Sequence, residues 1–186
     1  MAALIRLSRS TDTVALDGSG DISLWLDVVA GDLARGLARV AMIDVVLNEA
    51  SDSPYERLVL SMEWTRGEDK GWQLAFKDVD VTRNGERWAN GGNSTVRLTR
   101  DNNAIQGIDV KSDFLRLQDL MPILRIFPDN PIARQLLARD PVGDLAAIDV
   151  SLKRVGAEWN YAAAGEFDAL GVAAYGSWPG FSGLSG

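Results

Sequence analysis

The stretch "RLVLSMEWT" (residues 57–65) reads with a period of two. Leu58, Leu60, Met62 and Trp64 fall on one face, and Arg57, Ser61, Glu63 and Thr65 on the other, with Val59 the single exception. An extended backbone points successive side chains to opposite sides, so this pattern is that of a half-buried β-strand. Past the turn cluster "RGEDK" (66–70), "GWQLAFK" (71–77) puts Trp72, Leu74 and Phe76 on one face. The two runs predict a hairpin with one aromatic-rich side. After Phe76 the phase changes: Asp78 and Asp80 would take the Trp72 face while Val79 and Val81 move to the other. A strand cannot switch its buried face without an extra residue or a change of partner, which predicts a bulge or bend near Lys77 and Asp78.

The same texture extends in both directions. Asn84-Gly85 is a tight-turn dipeptide. "STVRLTR" (94–100) and "AIQGIDV" (104–110) read as strands joined by "DNN" (101–103). Upstream, "DISLWLDVV" (21–29) alternates Ile22, Leu24, Leu26 and Val28. Residues 34–48, "ARGLARVAMIDVVLN", suit a helix through Leu37 and Val40 and a strand through their β-branched residues. The turn "AGD" (30–32) favours a second hairpin. "GDLAAIDVSLKRV" (143–155) places Ala146, Ile148, Val150 and Leu152 on one face, and residues 157–175 predict one or two further strands. Gly-Asp-Leu followed by a strand holding Ile-Asp-Val occurs at both 31–47 and 143–155, either a repeat of strand units or a coincidence of composition.

One segment departs from period two. In residues 112–139, Leu115, Leu120, Ile123, Leu124 and Phe127 recur near 3.6. Ser112 or Asp113 is a candidate cap, and Asp119 a second start with Pro122 in its first turn. Pro128 and Pro131 break the run, and Asn130-Pro131 opens a second short helix ending near Arg139. The expectation is one mainly β domain over 1–186: a long antiparallel, strongly bent sheet with a two-helix insertion around 113–139.

Composition narrows the chemistry. Apolar residues make up 46% and charged residues 24%, as in a soluble globular domain. A net charge of −7 opposes nucleic acid as a partner. Cysteine and histidine are both absent, which removes disulfides, the usual zinc sites and histidine-dependent nucleophiles. No apolar run reaches the ~20 residues of a membrane-spanning helix, and "MAALIRLSRSTD" turns polar too soon for a signal peptide. Asp78 and Asp80 at i, i+2 could hold a calcium or share a proton, but no recognisable loop nearby supplies further oxygen ligands and a solvated strand face is the preferred reading. Glu158, Glu166 and Asp168 flank Trp159, Tyr161 and Phe167, a pairing that glycan-cleaving enzymes also use. Ser182 in "GFSGLSG" lacks the second glycine of a nucleophile elbow. Asn93-Ser94-Thr95 matches a glycosylation sequon that short sequences produce by chance. These readings leave no catalytic residue, no metal site and no cofactor. What stands out is the apolar strand face, with Leu58, Leu60, Met62, Trp64, Trp72, Leu74 and Phe76 as its candidate lining. The short helices look too small to cover it, and an uncovered apolar face of that size implies a lipid, a partner or more of its own chain.

The stretch "GEFDALGVAAYGSWPGFSGLSG" (165–186) resembles the YhdP-like proteins of the AsmA-like superfamily of Gram-negative bacteria. There a strand and a short spacer precede a Pro-Gly-x-x-Gly-Leu-Ser-Gly segment, here Pro179, Gly180, Phe181, Ser182, Gly183, Leu184, Ser185 and Gly186. "LQDLMPILRIFP" (117–128) followed by "LLARDPVGDLAAIDVSL" (136–152) is similar as well, with Pro141, Gly143 and Leu145 at the entry to the next strand. The resemblance implies a taco-like β-groove within a longer periplasmic protein, anchored in the inner membrane by a helix outside this stretch. It implies carriage of phospholipid or another acyl-chain lipid towards the outer membrane, in support of that membrane's barrier, without catalysis. On that view the chain is a piece of a longer one, and the remainder is among its partners. Two other readings stay open: an assembly scaffold for outer-membrane proteins that works through strand edges, and an enzyme on envelope glycans using Glu158, Glu166 or Asp168.

Overall fold

A computed structural model describes residues 3–5, 14–47, 53–67, 71–101, 104–126, 129–156 and 158–186. Its strands are β1 (Ala3–Ile5), β2 (Val14–Val29), β3 (Asp32–Val46), β4 (Tyr55–Arg66), β5 (Trp72–Arg83), β6 (Glu86–Arg87), β7 (Ser94–Asp101), β8 (Ala104–Arg116), β9 (Val142–Val155), β10 (Glu158–Val172) and β11 (Phe181–Leu184). Two helices, α1 (Leu117–Leu124) and α2 (Pro131–Arg139), lie between β8 and β9. All strands join one antiparallel sheet in chain order, β1-β2-β3-β4-β5-β7-β8-β9-β10-β11, with β6 attached to β5 alone. The sheet is open, with β1 at one edge and β11 at the other.

Local chemistry explains the connections. Ala30-Gly31 and Asn84-Gly85 have positive φ at both residues (53° and 87°, 54° and 74°), the twist that two-residue hairpins require. The ambiguous segment 34–48 is strand through Val46, as the hairpin reading expects. The expected bulge is present. Ser61 pairs with Lys77 but Val59 with Asp80, so β5 carries one extra residue there, and Asp78 has φ 54°. Its amide donates to Asn93 Oδ1 at 3.2 Å, and Asn93 Nδ2 donates to Asp113 Oδ2 at 3.0 Å. The sequon asparagine is thus a tie between β5 and β8. The two Gly-Asp-Leu segments both lead into strands, but Asp44 sits at a bulge (φ 54°) whereas Asp149 pairs regularly with Lys111.

The helices differ from expectation at one end. The second runs from Pro131 to Arg139 as its sequence predicts, with Asn130 Oδ1 accepting the Ala133 amide at 3.2 Å. The first begins at Leu117, not at Ser112 or Asp113. Strand β8 continues to Arg116 because Phe114, Leu115 and Arg116 pair with Ala146, Leu145 and Asp144. Ser112 is occupied by Ser94, with which it shares a 2.6 Å hydrogen bond, and Asp113 by Asn93, so neither caps a helix. Arg116 precedes α1 without a side-chain cap and grips Asp144 through two hydrogen bonds of 2.8 and 3.0 Å. Asp119 and Pro122 both fall inside this helix. The turn residues 68–70, Asn102, Asn103, Phe127 and Pro128 lie outside the described residues.

The buried core sits where α1 covers one end of the sheet. Met42, Val45, Tyr55, Val79, Val81, Trp88 and Phe114 form it, with Leu120 and Ile123 packed against it. Trp88 and Phe114 meet edge to face at 5.7 Å. Asp119, only 2% exposed, pins the helix down. Its carboxylate accepts the Trp88 indole N–H at 2.8 Å and its carbonyl accepts the Tyr55 hydroxyl at 2.5 Å. Arg83 donates to the Gln118 carbonyl at 3.0 Å and approaches the Asp119 carboxylate at 3.5 Å. Burial pushes the Asp119 carboxyl and the Tyr55 hydroxyl upward in pKa, and Trp88 and Arg83 only partly offset this for Asp119.

Replacing Trp88 with Phe keeps the ring and removes one donor from this buried carboxylate. The expected loss is about 1–3 kcal/mol of unfolding free energy in a urea titration; an unchanged midpoint contradicts the pinning role. The raised Asp119 pKa means that the folded state holds this proton more tightly than the unfolded one. Its contribution therefore falls as pH rises from the unfolded value of about 4 through the raised folded value. Stability relative to an Asp119→Asn variant should decline with pH over that window and then level off; a pH-independent difference contradicts this.

Candidate functional site

In an antiparallel ladder, residues directly opposite one another share a face. Tracing register from strand to strand gives a row that crosses the sheet: Leu26, Gly36, Trp64, Leu74, Val96, Val110, Val150 and Ala163, one residue from each of β2, β3, β4, β5, β7, β8, β9 and β10. All eight are apolar or glycine. At ~4.8 Å per strand the row is about 34 Å long. The next row on this face holds Arg66, Trp72, Leu98, Ile108, Leu152 and Tyr161. On the helix side, Leu24, Ala38, Met62 and Phe76 continue into Ser94, Ser112 and Ile148.

The opposite face has the reverse character. Asp27, Arg35, Thr65, Gln73, Arg97, Asp109 and Ser151 form one of its rows. Glu63 there takes Lys77 at 3.0 Å and Arg35 at 3.9 Å, and Lys111 meets Asp149 at 2.6 Å. The Lys77 hydrogen bond holds the Glu63 carboxyl below the usual carboxylate range. A hollow of about 630 Å³ where β5, β7, β8 and β9 meet is lined by Lys77, Asn93, Thr95, Lys111 and Asp149 among others. Its lysines are already paired.

The seven candidates from the sequence share the apolar face, and all are half-buried. They divide into two groups. Leu58, Leu60 and Phe76 pack on the core beneath α1. Met62, Trp64, Trp72 and Leu74 lie beyond that cluster on the open part of the face. At the β2 end the face is bare, with Leu24 58%, Leu26 51% and Val28 62% exposed. Trp64 has a structural duty as well: a Cβ on Gly36 would lie 2.1 Å from its indole, so the ring rests on the Gly36 backbone. Sequence reasoning missed Val96, Leu98, Ile108 and Val110 as members of the same track. Their alternation within strands was visible, but their alignment with Trp64 and Leu74 required register. Ala146 belongs to the expected set less simply, because Ala147 (φ 49°) adds a residue between it and Ile148 against β10.

Most acidic candidates are engaged by neighbours or stand far apart, while Glu166 and Asp168 share one face of β10 two residues apart. Asp80 accepts Arg57 and Arg87 at 2.7 Å each, and the Arg87 hydrogen bond above all holds its carboxyl below the usual range. Asp78 sits in the bulge rather than beside it. Glu158 and Glu166 stand eight residues apart on β10, about 26 Å along a strand, too far to act on one glycosidic bond. Asp168 accepts the Ser185 hydroxyl at 2.6 Å. Among the described residues no cluster of acidic side chains could hold a metal ion, and no helix is long and apolar enough to cross a membrane.

One comparison with known families finds a match for this chain. The family model described as YhdP protein matches residues 4–186. The chain belongs to the YhdP family. The match covers all of the sheet but Ala3, together with both helices and the segment from Pro179 to Gly186 on which the resemblance rests. No curated protein and no solved structure matches the chain.

The contact between Gly36 and Trp64 yields a test of the track's surface. Gly36→Ala should lift the indole from the sheet, cost about 1–3 kcal/mol and shift tryptophan emission to the red. Unaltered emission and stability would show that the ring does not rest there.

Proposed function

We propose that this chain is a non-enzymatic periplasmic module of a bridge-like phospholipid transport protein of the outer-membrane barrier. Its full-length protein is anchored in the inner membrane. The observation that carries this reading is the unbroken apolar row from Leu26 to Ala163. Acyl chains bind by removing CH₂ groups from water, at about 0.8 kcal/mol each. They need a continuous surface and no catalytic group. The row's length of about 34 Å is more than twice the ~15 Å that one leaflet's acyl chains span. A lipid could therefore slide across strands without leaving apolar contact. The direction matters: the track runs perpendicular to the strands, so adding strands at either edge lengthens it. A bend of the sheet about this row would turn the face into a groove, and the bulges at Asp78 and Ala147 are places where strands bend readily.

A second reading has one observation in its favour. β1 pairs with β2 only as far as Leu16, so the outer edge of residues 17–29 is unpaired among the described residues. An assembly scaffold would use such an edge to take up a client strand.

The deciding experiment is uptake of a phospholipid with brominated acyl chains, read by quenching of tryptophan fluorescence. Val96→Asp with Val110→Asp breaks the row at two adjacent strands and should abolish quenching. Thr95→Asp, on the polar face, should leave it intact. A folded double variant that still quenches refutes the track, and capture of an unstructured strand peptide along residues 17–29 would favour the scaffold.

A further inference from the structure

The apolar face ends in arginine on the side away from the helices. Arg100 follows Val96 and Leu98 at the same parity on β7, and Arg154 follows Val150 and Leu152 on β9. Register brings Arg100 opposite Ile105 and Arg154 opposite Trp159. Only β8 separates the two arginines, so their backbones lie about 10 Å apart, with Ile105 between them. Other arginines of the sheet are engaged: Arg57 and Arg87 on Asp80, Arg116 on Asp144. Arg100 forms no ion pair among the described residues, and its Nε is buried without a hydrogen-bond partner. Arg154 spends its Nε on the Gly156 carbonyl at 3.1 Å and forms no ion pair among the described residues. A buried, unsatisfied guanidinium nitrogen is costly, and the register sets Arg100 in the row next to that of Leu98, Ile108 and Leu152. In a chain of net charge −7, two uncompensated arginines on the apolar side fit an anion that arrives attached to something apolar.

We propose that Arg100 and Arg154 form a headgroup station that holds the phosphate of a lipid whose acyl chains lie along Leu98, Ile108 and Leu152. This rests on the acyl-chain reading of the apolar row and adds to it a fixed place and orientation for the charged end. The guanidinium forks donate to phosphate oxygens, and the acyl chains lead from the rim towards Val96, Val110 and Val150. Lipids that carry phosphate are therefore preferred over uncharged ones with the same tails.

The test compares dihexanoyl phosphatidylglycerol, dihexanoylglycerol and inorganic phosphate in calorimetric titrations of the whole chain. The phospholipid should bind about tenfold more tightly than the glyceride, the gain from one or two charge-assisted hydrogen bonds. The variant Arg100→Gln, Arg154→Gln should bind the phospholipid only as well as the glyceride, with glyceride affinity unchanged. Arg154→Gln alone, at the more exposed position, should lose part of the preference if the double variant folds poorly. Equal binding of both lipids by the unaltered chain, or a preference that survives in the variant, overturns the station and leaves the apolar track standing. Binding of neither lipid overturns both. Inorganic phosphate bound as tightly as the phospholipid overturns the lipid as the source of the anion.

Discussion

Hydrogen-bonded register is the constraint on which the molecule depends. Side chains alternate with a period of two, so a slip of one residue would send a strand's apolar set to the polar face. Eight strands stay in phase from Leu26 to Ala163. Towards the helices the phase is kept by inserted residues. β3 gains one at Asp44, β4 one between Tyr55 and Arg57, and β5 one at Asp78. Each brings the next buried side chain, Val45, Tyr55 or Val79, back to the side that α1 covers. Two of the three are aspartates at φ 54°, a region that short polar side chains tolerate better than most.

The two ends of the face are stabilised differently. Under α1 there is a three-dimensional core, with Val45 and Tyr55 almost wholly buried and a carboxylate sealed among Trp88, Arg83 and Tyr55. Over the rest of the sheet the apolar side chains lie outside that cluster and face one another across neighbouring strands. The exposed ion pairs on the other side contribute little individually, so the ladder itself and cross-strand apolar contacts hold that part together. Local opening is expected to be easiest at the β2 end, where exposure of Leu24, Leu26 and Val28 is greatest. A surface meant to receive a ligand has to come from such a region, since a packed core has no room to offer.

Much of this was legible in the residues. The period-two runs placed the strands, the switch from Phe76 to Val79 located a bulge, and Asn130-Pro131 with Arg139 marked both ends of α2. The start of α1 was not legible. Phe114 and Leu115 are apolar neighbours that suit a helix as well as a strand, and pairing with Ala146 and Leu145 decides between them. The candidate lining was found along two strands, because alternation is a property of one strand. Its continuation through Val96, Val110 and Val150 depends on turn lengths and bulges summed over more than a hundred residues. Trp88 carried no signal: its importance comes from Asp119, 31 positions away, whose carboxylate it satisfies.

The order of strands in the sheet is, β6 aside, their order in the chain. Every principal pairing joins a strand to the one made before it, and only β9 waits for an intervening pair of helices. Such an architecture resembles a zip fastener more than a knot. Cooperativity passes from neighbour to neighbour, as in stacked-repeat proteins, and closing each new strand costs the entropy of a short loop rather than a long one. A chain emerging from its N-terminal end can complete each hairpin before the next strand arrives, so growth in length carries little penalty in folding time.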